Sequence, residues 1–116
     1  MRIRFLLTAV VLSTLLGCAN DPAPTAQLKL TEQAVAQATA VGATDEPEMA
    51  LAQSRLAQAR ADMQSKSYKN ARMQAEQAEL DARLAEARVL TQKSEEQLTQ
   101  MNTRLNRLRK QVGEAQ

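Results

Sequence analysis

Ser67–Val89 reads SYKNARMQAEQAELDARLAEARV, and this stretch decides the fold. Tyr68, Ala71, Ala75, Ala78, Ala82, Ala85 and Val89 recur at steps of three and four. That is the period of an α-helix with one apolar face. The face is almost entirely alanine, which makes a thin core. Burying one methyl yields roughly 0.8 kcal/mol, against about 1.5–3 for a leucine or methionine side chain. Glu79 and Arg83 stand four residues apart on the solvent side and can pair. Asp81, set among alanines, is expected on an exposed flank and not at a buried polar site.

Upstream, Met49, Ala52, Leu56, Ala59 and Met63 step by 3, 4, 3 and 4, a heptad stripe for a second helix reaching about Gln64. Asp45-Glu46-Pro47-Glu48 opens it: Asp45 can cap, Pro47 is tolerated in a first turn, and Glu48 has capping-box-like spacing. Ser65-Lys66-Ser67 interrupts the pattern and Ser67 can cap the next helix; with no Gly or Pro there, a continuous helix is the competing reading. Further back, Leu28, Thr31, Val35 and Ala38 share a face of a first helix from Thr25 to about Val41, with Gly42 as its stop. The fold class is therefore all-α: an antiparallel three-helix arrangement of hairpins with a long C-terminal helix.

Downstream of Val89 no stop occurs before Gly113. The polar run Gln92-Lys93-Ser94-Glu95-Glu96 separates the alanine face from a second apolar stripe of Leu98, Met101, Leu105, Leu108 and Val112. The face changes register across that run, so residues 92–116 form a helical extension to a domain spanning 26–91. A third helix of ~65–70 Å at ~1.5 Å per residue outruns its partners. Its tail must project, fold back onto the bundle, or pair with another chain as a coiled coil.

The N-terminus carries a different kind of information. Arg2 and Arg4 precede an apolar run from Phe5 to Leu16. About a dozen residues is too short for a ~20-residue membrane span and suits a secretion signal. The run ends in Leu15-Leu16-Gly17-Cys18, which resembles a bacterial lipobox, with Leu16 a mild departure from the usual small residue. The resemblance implies cleavage after residue 17 and acylation of Cys18, where several acyl chains would anchor firmly. Residues 18–25 then form a tether, since Pro22 and Pro24 favour extended chain. Ala19 directly after the cysteine favours outer-membrane sorting, with the helical domain facing the periplasm.

The body is similar to the DUF4398 family of Gram-negative envelope proteins, a family of unknown function. The residues that carry this are Pro22-Ala23-Pro24-Thr25, Glu46-Pro47-Glu48, Leu56-Ala57-Gln58-Ala59-Arg60, Ser67-Tyr68-Lys69-Asn70-Ala71-Arg72, Ala75-Glu76-Gln77-Ala78 and Asp81-Ala82-Arg83-Leu84-Ala85-Glu86. Some relatives carry an OmpA-type peptidoglycan-binding domain after this module; nothing here resembles one, so that activity does not carry over.

Composition argues against chemistry. The chain has no His, and its single Cys is the proposed lipid site. No Gly-rich phosphate loop is present, so catalysis, metals, cofactors and small-molecule substrates are not expected. The formal charge of +2 is misleading: 15 Lys and Arg less Arg2 and Arg4 leaves 13, equal to the 13 Asp and Glu. A neutral mature chain gives no reason to expect a nucleic-acid partner. Arg104, Arg107, Arg109 and Lys110 form a basic cluster that could contact anions. The plainer reading is that cations favour a helix C-terminus through its dipole. Met49, Met63 and Met101 lie on apolar stripes, where core filling is expected ahead of copper ligation. Tyr68 is expected to pack over the interhelix turn.

The functional expectation is a non-enzymatic structural or adaptor lipoprotein, binding an envelope protein or itself. Two alternatives stand beside it. One is a peptidoglycan tether like Braun's lipoprotein, disfavoured because the chain ends Gly113-Glu114-Ala115-Gln116 without a terminal Lys. The other is a regulator of an envelope enzyme complex.

Overall fold

The computed structural model describes residues 21–115. Three helices follow one another: α1 (Thr25–Ala40), α2 (Pro47–Gln64) and α3 (Tyr68–Glu114), with a single 3₁₀ turn at Ala43–Asp45 before α2. No strand occurs among the described residues. α3 is 47 residues long and is the spine, with α1 and α2 packed along its first half.

Both turns have a local cause. After α1, Gly42 adopts φ 90°, a left-handed conformation that glycine reaches without a Cβ penalty. Between α2 and α3 the chain reverses at Ser65–Ser67, where Lys66 takes φ 61°. Lys66 N–H donates to Met63 O and Ser67 N–H to Asp62 O, so the carbonyls at the end of α2 are satisfied without a glycine. The turn reading at 65–67 therefore holds over the continuous helix.

The caps differ from expectation. Asp45 lies in the 3₁₀ turn and Glu46 is the N-cap of α2, with no side-chain cap bond. Glu48 does not reach back to close a capping box; it reaches across to Arg88 on α3 at 2.8 Å. Ser67 does occupy the N-cap of α3, but its hydroxyl makes no cap bond. In each case a contact between helices or a backbone turn replaces the local cap.

The core is the alanine face. Ala71, Ala75, Ala78, Ala82 and Ala85 of α3 are fully buried, with Val89 closing the far end. Ala82, Ala85 and Val89 cluster with Ala34 and Ala38 of α1, Ala43 of the turn, and Met49 and Ala52 of α2; Leu56 and Ala59 of α2 are buried as well. Met49 is the largest fully buried apolar side chain. Small side chains bring the helices close together, because interaxial distance follows the residues at the contact. Thr31 records the result: its buried hydroxyl lies 2.8 Å from the Ala75 carbonyl of α3 and 2.9 Å from the Gln27 carbonyl of its own helix.

Polar contacts frame this core. Arg55 of α2 pairs with Asp81 of α3. Asp81 is thus part-buried in an ion pair between helices, which corrects its reading as an exposed flank residue. Arg60 reaches Glu32 at 2.7 Å, tying α2 to α1. Glu79 accepts from Arg83 at 2.6 Å and from Gln27 at 2.7 Å, so the expected pair within α3 also holds α1. These bonds keep the Glu79 carboxyl below its usual range, the Arg83 hydrogen bond being the larger cause and Gln27 the next.

Candidate functional site

Two ends of the bundle differ. At one, Pro24 is buried and its carbonyl starts α1 by accepting from Leu28, while Arg72 on the first turns of α3 reaches the Pro22 carbonyl at 3.4 Å. The last residues of the expected tether are therefore seated on the bundle. At the other end, Lys93 donates to the Val41 carbonyl at 2.7 Å, the final hydrogen bond between α3 and the turn after α1. Beyond it α3 continues alone. It does not fold back, and every residue from Leu90 to Ala115 is exposed.

The five residues singled out on this tail are Leu98, Met101, Leu105, Leu108 and Val112, each at least half exposed. Met101 therefore fills no core within the chain, unlike Met49, which corrects the expectation for it. Met101, Arg104, Leu105 and Leu108 line a shallow, almost wholly apolar depression on the helix surface.

The stripe extends further than its sequence neighbours suggest. Counted toward the N-terminus from Leu98 in alternating fours and threes, it passes through Ser94, Thr91, Ala87, Leu84, Leu80, Gln77 and Met73. These residues are all exposed, and Met73, Leu80 and Leu84 are between 46% and 66% exposed. They lie on the side of α3 away from the buried alanines. The tail stripe thus continues an outward ridge that runs the length of α3, back to back with the core face. Sequence reasoning missed Met73, Leu80 and Leu84 because the alanine period dominates that segment. The signal that would have found them is the heptad counted backward from the tail.

The basic residues are arranged otherwise. Arg104, Arg107, Arg109 and Lys110 fall at successive angles around the helix and form a collar, not a patch on one face. None makes an ion pair among the described residues. No basic residue falls in the last turn of α3, and dipole effects fade beyond the terminal turn, so the helix dipole does not account for the collar.

Among the described residues no group of three His, Cys, Asp or Glu side chains could hold a metal ion. None of the described helices is long and apolar enough to cross a membrane. Leu15, Leu16, Gly17 and Cys18 lie outside the described residues.

Comparison with known proteins agrees with this architecture. A crystal structure of a DUF4398 family protein from Pseudomonas aeruginosa PAO1 is 58% identical in sequence and superposes with a TM-score of 0.78. The match covers 82% of this chain and 100% of that one. No curated protein matches the chain. The profile of DUF4398, described as a domain of unknown function, matches residues 26–101, which take in the bundle and the first turns of the projecting tail. With two thirds of its length matched, the chain belongs to the DUF4398 family.

Proposed function

We propose that this protein is a non-enzymatic lipoprotein of the Gram-negative envelope, held in the outer membrane by an acylated Cys18, that acts as an adaptor. The bundle serves as a stalk and α3 offers a contact surface to an envelope partner in the periplasm. The observation that carries this reading is the outward ridge of α3. Large apolar side chains left half exposed along one helix face are costly in water, and large exposed apolar patches mark interaction sites.

The arrangement of the ends supports the same reading. Asp21, the first described residue, adjoins Pro22 at the end of the bundle where Pro22 meets Arg72, and Cys18 precedes it by three residues in the sequence. The tail leaves from the opposite end. A lipid at Cys18 would tether the bundle by the end away from the tail and leave the ridge free to meet a partner.

Two measurements test it. Cells grown with labelled palmitate should label the protein, and C18S should lose both label and membrane attachment; a C18S chain that remains membrane-bound and normally processed sinks the lipoprotein reading. A photoreactive residue at position 105 should give a covalent adduct in living cells, while the same probe at Gln58, exposed on α2, should not. Equal or absent labelling at both sites removes the contact surface.

A further inference from the structure

The outer ridge of α3 has a property that scattered exposed leucines lack, namely register. Met73, Leu80, Leu84, Leu98, Met101, Leu105, Leu108 and Val112 all fall on the two inner positions of a single heptad, within one unbroken helix. A seven-residue repeat sustained over this length is the pattern of a two-stranded coiled coil. α1 and α2 cover the alanine face, on the other side, so none of the described residues obstructs the ridge. We infer that this ridge pairs with the same ridge of a second copy, and that the two α3 helices run antiparallel. The inference rests on the ridge being a contact surface, and not on lipid at Cys18; two copies lipidated in one membrane would pair with their α3 helices lying along its surface.

Area favours a stable pair. Eight large side chains, each about half exposed, would remove on the order of 1,400 Å² from water across two copies, within the ~1,200–2,000 Å² of specific interfaces.

Charge decides the direction. In a parallel pair in register, the positions flanking the seam bring Glu76 to Asp81, Arg83 to Arg88 and Arg104 to Arg109 of the second copy. Asp81, Arg83 and Arg88 already have partners within the chain, Arg55, Glu79 and Glu48, so the unrelieved like-charged contact is Arg104 with Arg109, and no opposite pair offsets it. In the antiparallel pair, one register sets Met73 against Val112, Leu80 against Leu105, Leu84 against Met101 and Ala87 against Leu98. It also sets Glu95, which makes no ion pair among the described residues, beside Arg88, whose half-exposed guanidinium also holds Glu48. Its one like-charged flank, Arg83 with Arg104, is relieved because Arg83 is already bound to Glu79.

The same register explains the gap in the ridge. Thr91 and Ser94 are the polar residues that interrupt it, and in this arrangement they face each other across the twofold axis. Elsewhere in the seam Gln77 is the one polar residue, and it meets Leu108. A polar pair at one layer costs stability and fixes register and orientation. A foreign partner would have no reason to require polar residues at that layer.

Engineered cysteines test the pairing in the full chain, oxidised mildly in native membranes, with the unsubstituted chain as control for Cys18. Positions 80 and 105 are 25 residues apart on one helix, about 37 Å at ~1.5 Å per residue, so they cannot bridge within a chain. The expected result is a reducible dimer from the L80C/L105C double variant and none, beyond the control, from L80C or L105C alone. A dimer from L105C alone at the same level means parallel pairing and overturns the inference. No dimer from the double variant overturns it too. The photoreactive probe at position 105 then separates the causes. An adduct of other mass leaves the contact surface standing with a foreign partner, and no adduct removes both.

Discussion

Thr31 is the one buried polar residue of the core among the described residues, and it sits where alanines let two backbones approach. Its hydroxyl reaches the Ala75 carbonyl, which a larger side chain at position 75 would hold out of range. The carbonyl already has its helical partner, so losing the hydroxyl strands no acceptor. T31V should therefore cost about 0.5–1.5 kcal/mol, the net value of one hydrogen bond, and urea unfolding of the two chains measures it. Glu79 makes the matching prediction for pH. Its carboxyl is held below the usual carboxylate range in the folded state by Arg83 first and Gln27 second, while burial opposes them. A depressed folded value means the stabilisation is present above the unfolded value and is lost as pH falls through the folded one. E79Q should be less stable than the parent at pH 7, and the gap should narrow as pH falls below the usual carboxylate range. An unchanged gap in acid would assign the effect to packing. The size is modest, because Arg83 is well exposed and solvent screens the pair.

At the scale of elements, α3 has two faces with opposite demands. The alanine face tolerates no added volume: A78L would force α1 and α2 off the spine and should cost about 1–3 kcal/mol or more. The outer face tolerates change within the monomer. L105A removes no intrachain contact of a buried residue and should shift the unfolding free energy of dilute protein by no more than ~0.5 kcal/mol. Ending the chain after Lys93 makes a sharper test of autonomy. Lys93 with Val41 is the last hydrogen bond from α3 to the rest, and the residues beyond are exposed, so the shortened protein should still melt cooperatively, and circular dichroism should show only the loss of the tail's helix. Collapse of the bundle on this truncation would mean the tail supports it.

As a whole, the molecule is a spine with a bundle at one end and a bare apolar ridge along its outer side. Much of this is legible in the residues themselves. The alanine period at 71–89, the stop at Gly42, the proline opening of α2 and the reversal at Ser65–Ser67 are local signals, and the structure follows them. The family resemblance is legible in the same segments. The capping roles of Asp45 and Glu48 were not, because a capping motif offers a side chain two partners and only the assembled bundle supplies the one it takes, Arg88 in the case of Glu48. Asp81 was misplaced for the same reason: its partner Arg55 is 26 residues away in sequence. The candidate site was half visible, since the tail stripe stands alone while Met73, Leu80 and Leu84 are interleaved with the stronger alanine period. Sequence by itself determined that these segments are helices and where they turn, because helix period and turn conformation depend on neighbours within a few residues. Only the tertiary structure decided which of the two apolar faces of α3 packs in the bundle and which is left for another surface. That choice depends on how closely α1 and α2 can approach, and alanine permits the close approach that leucine forbids.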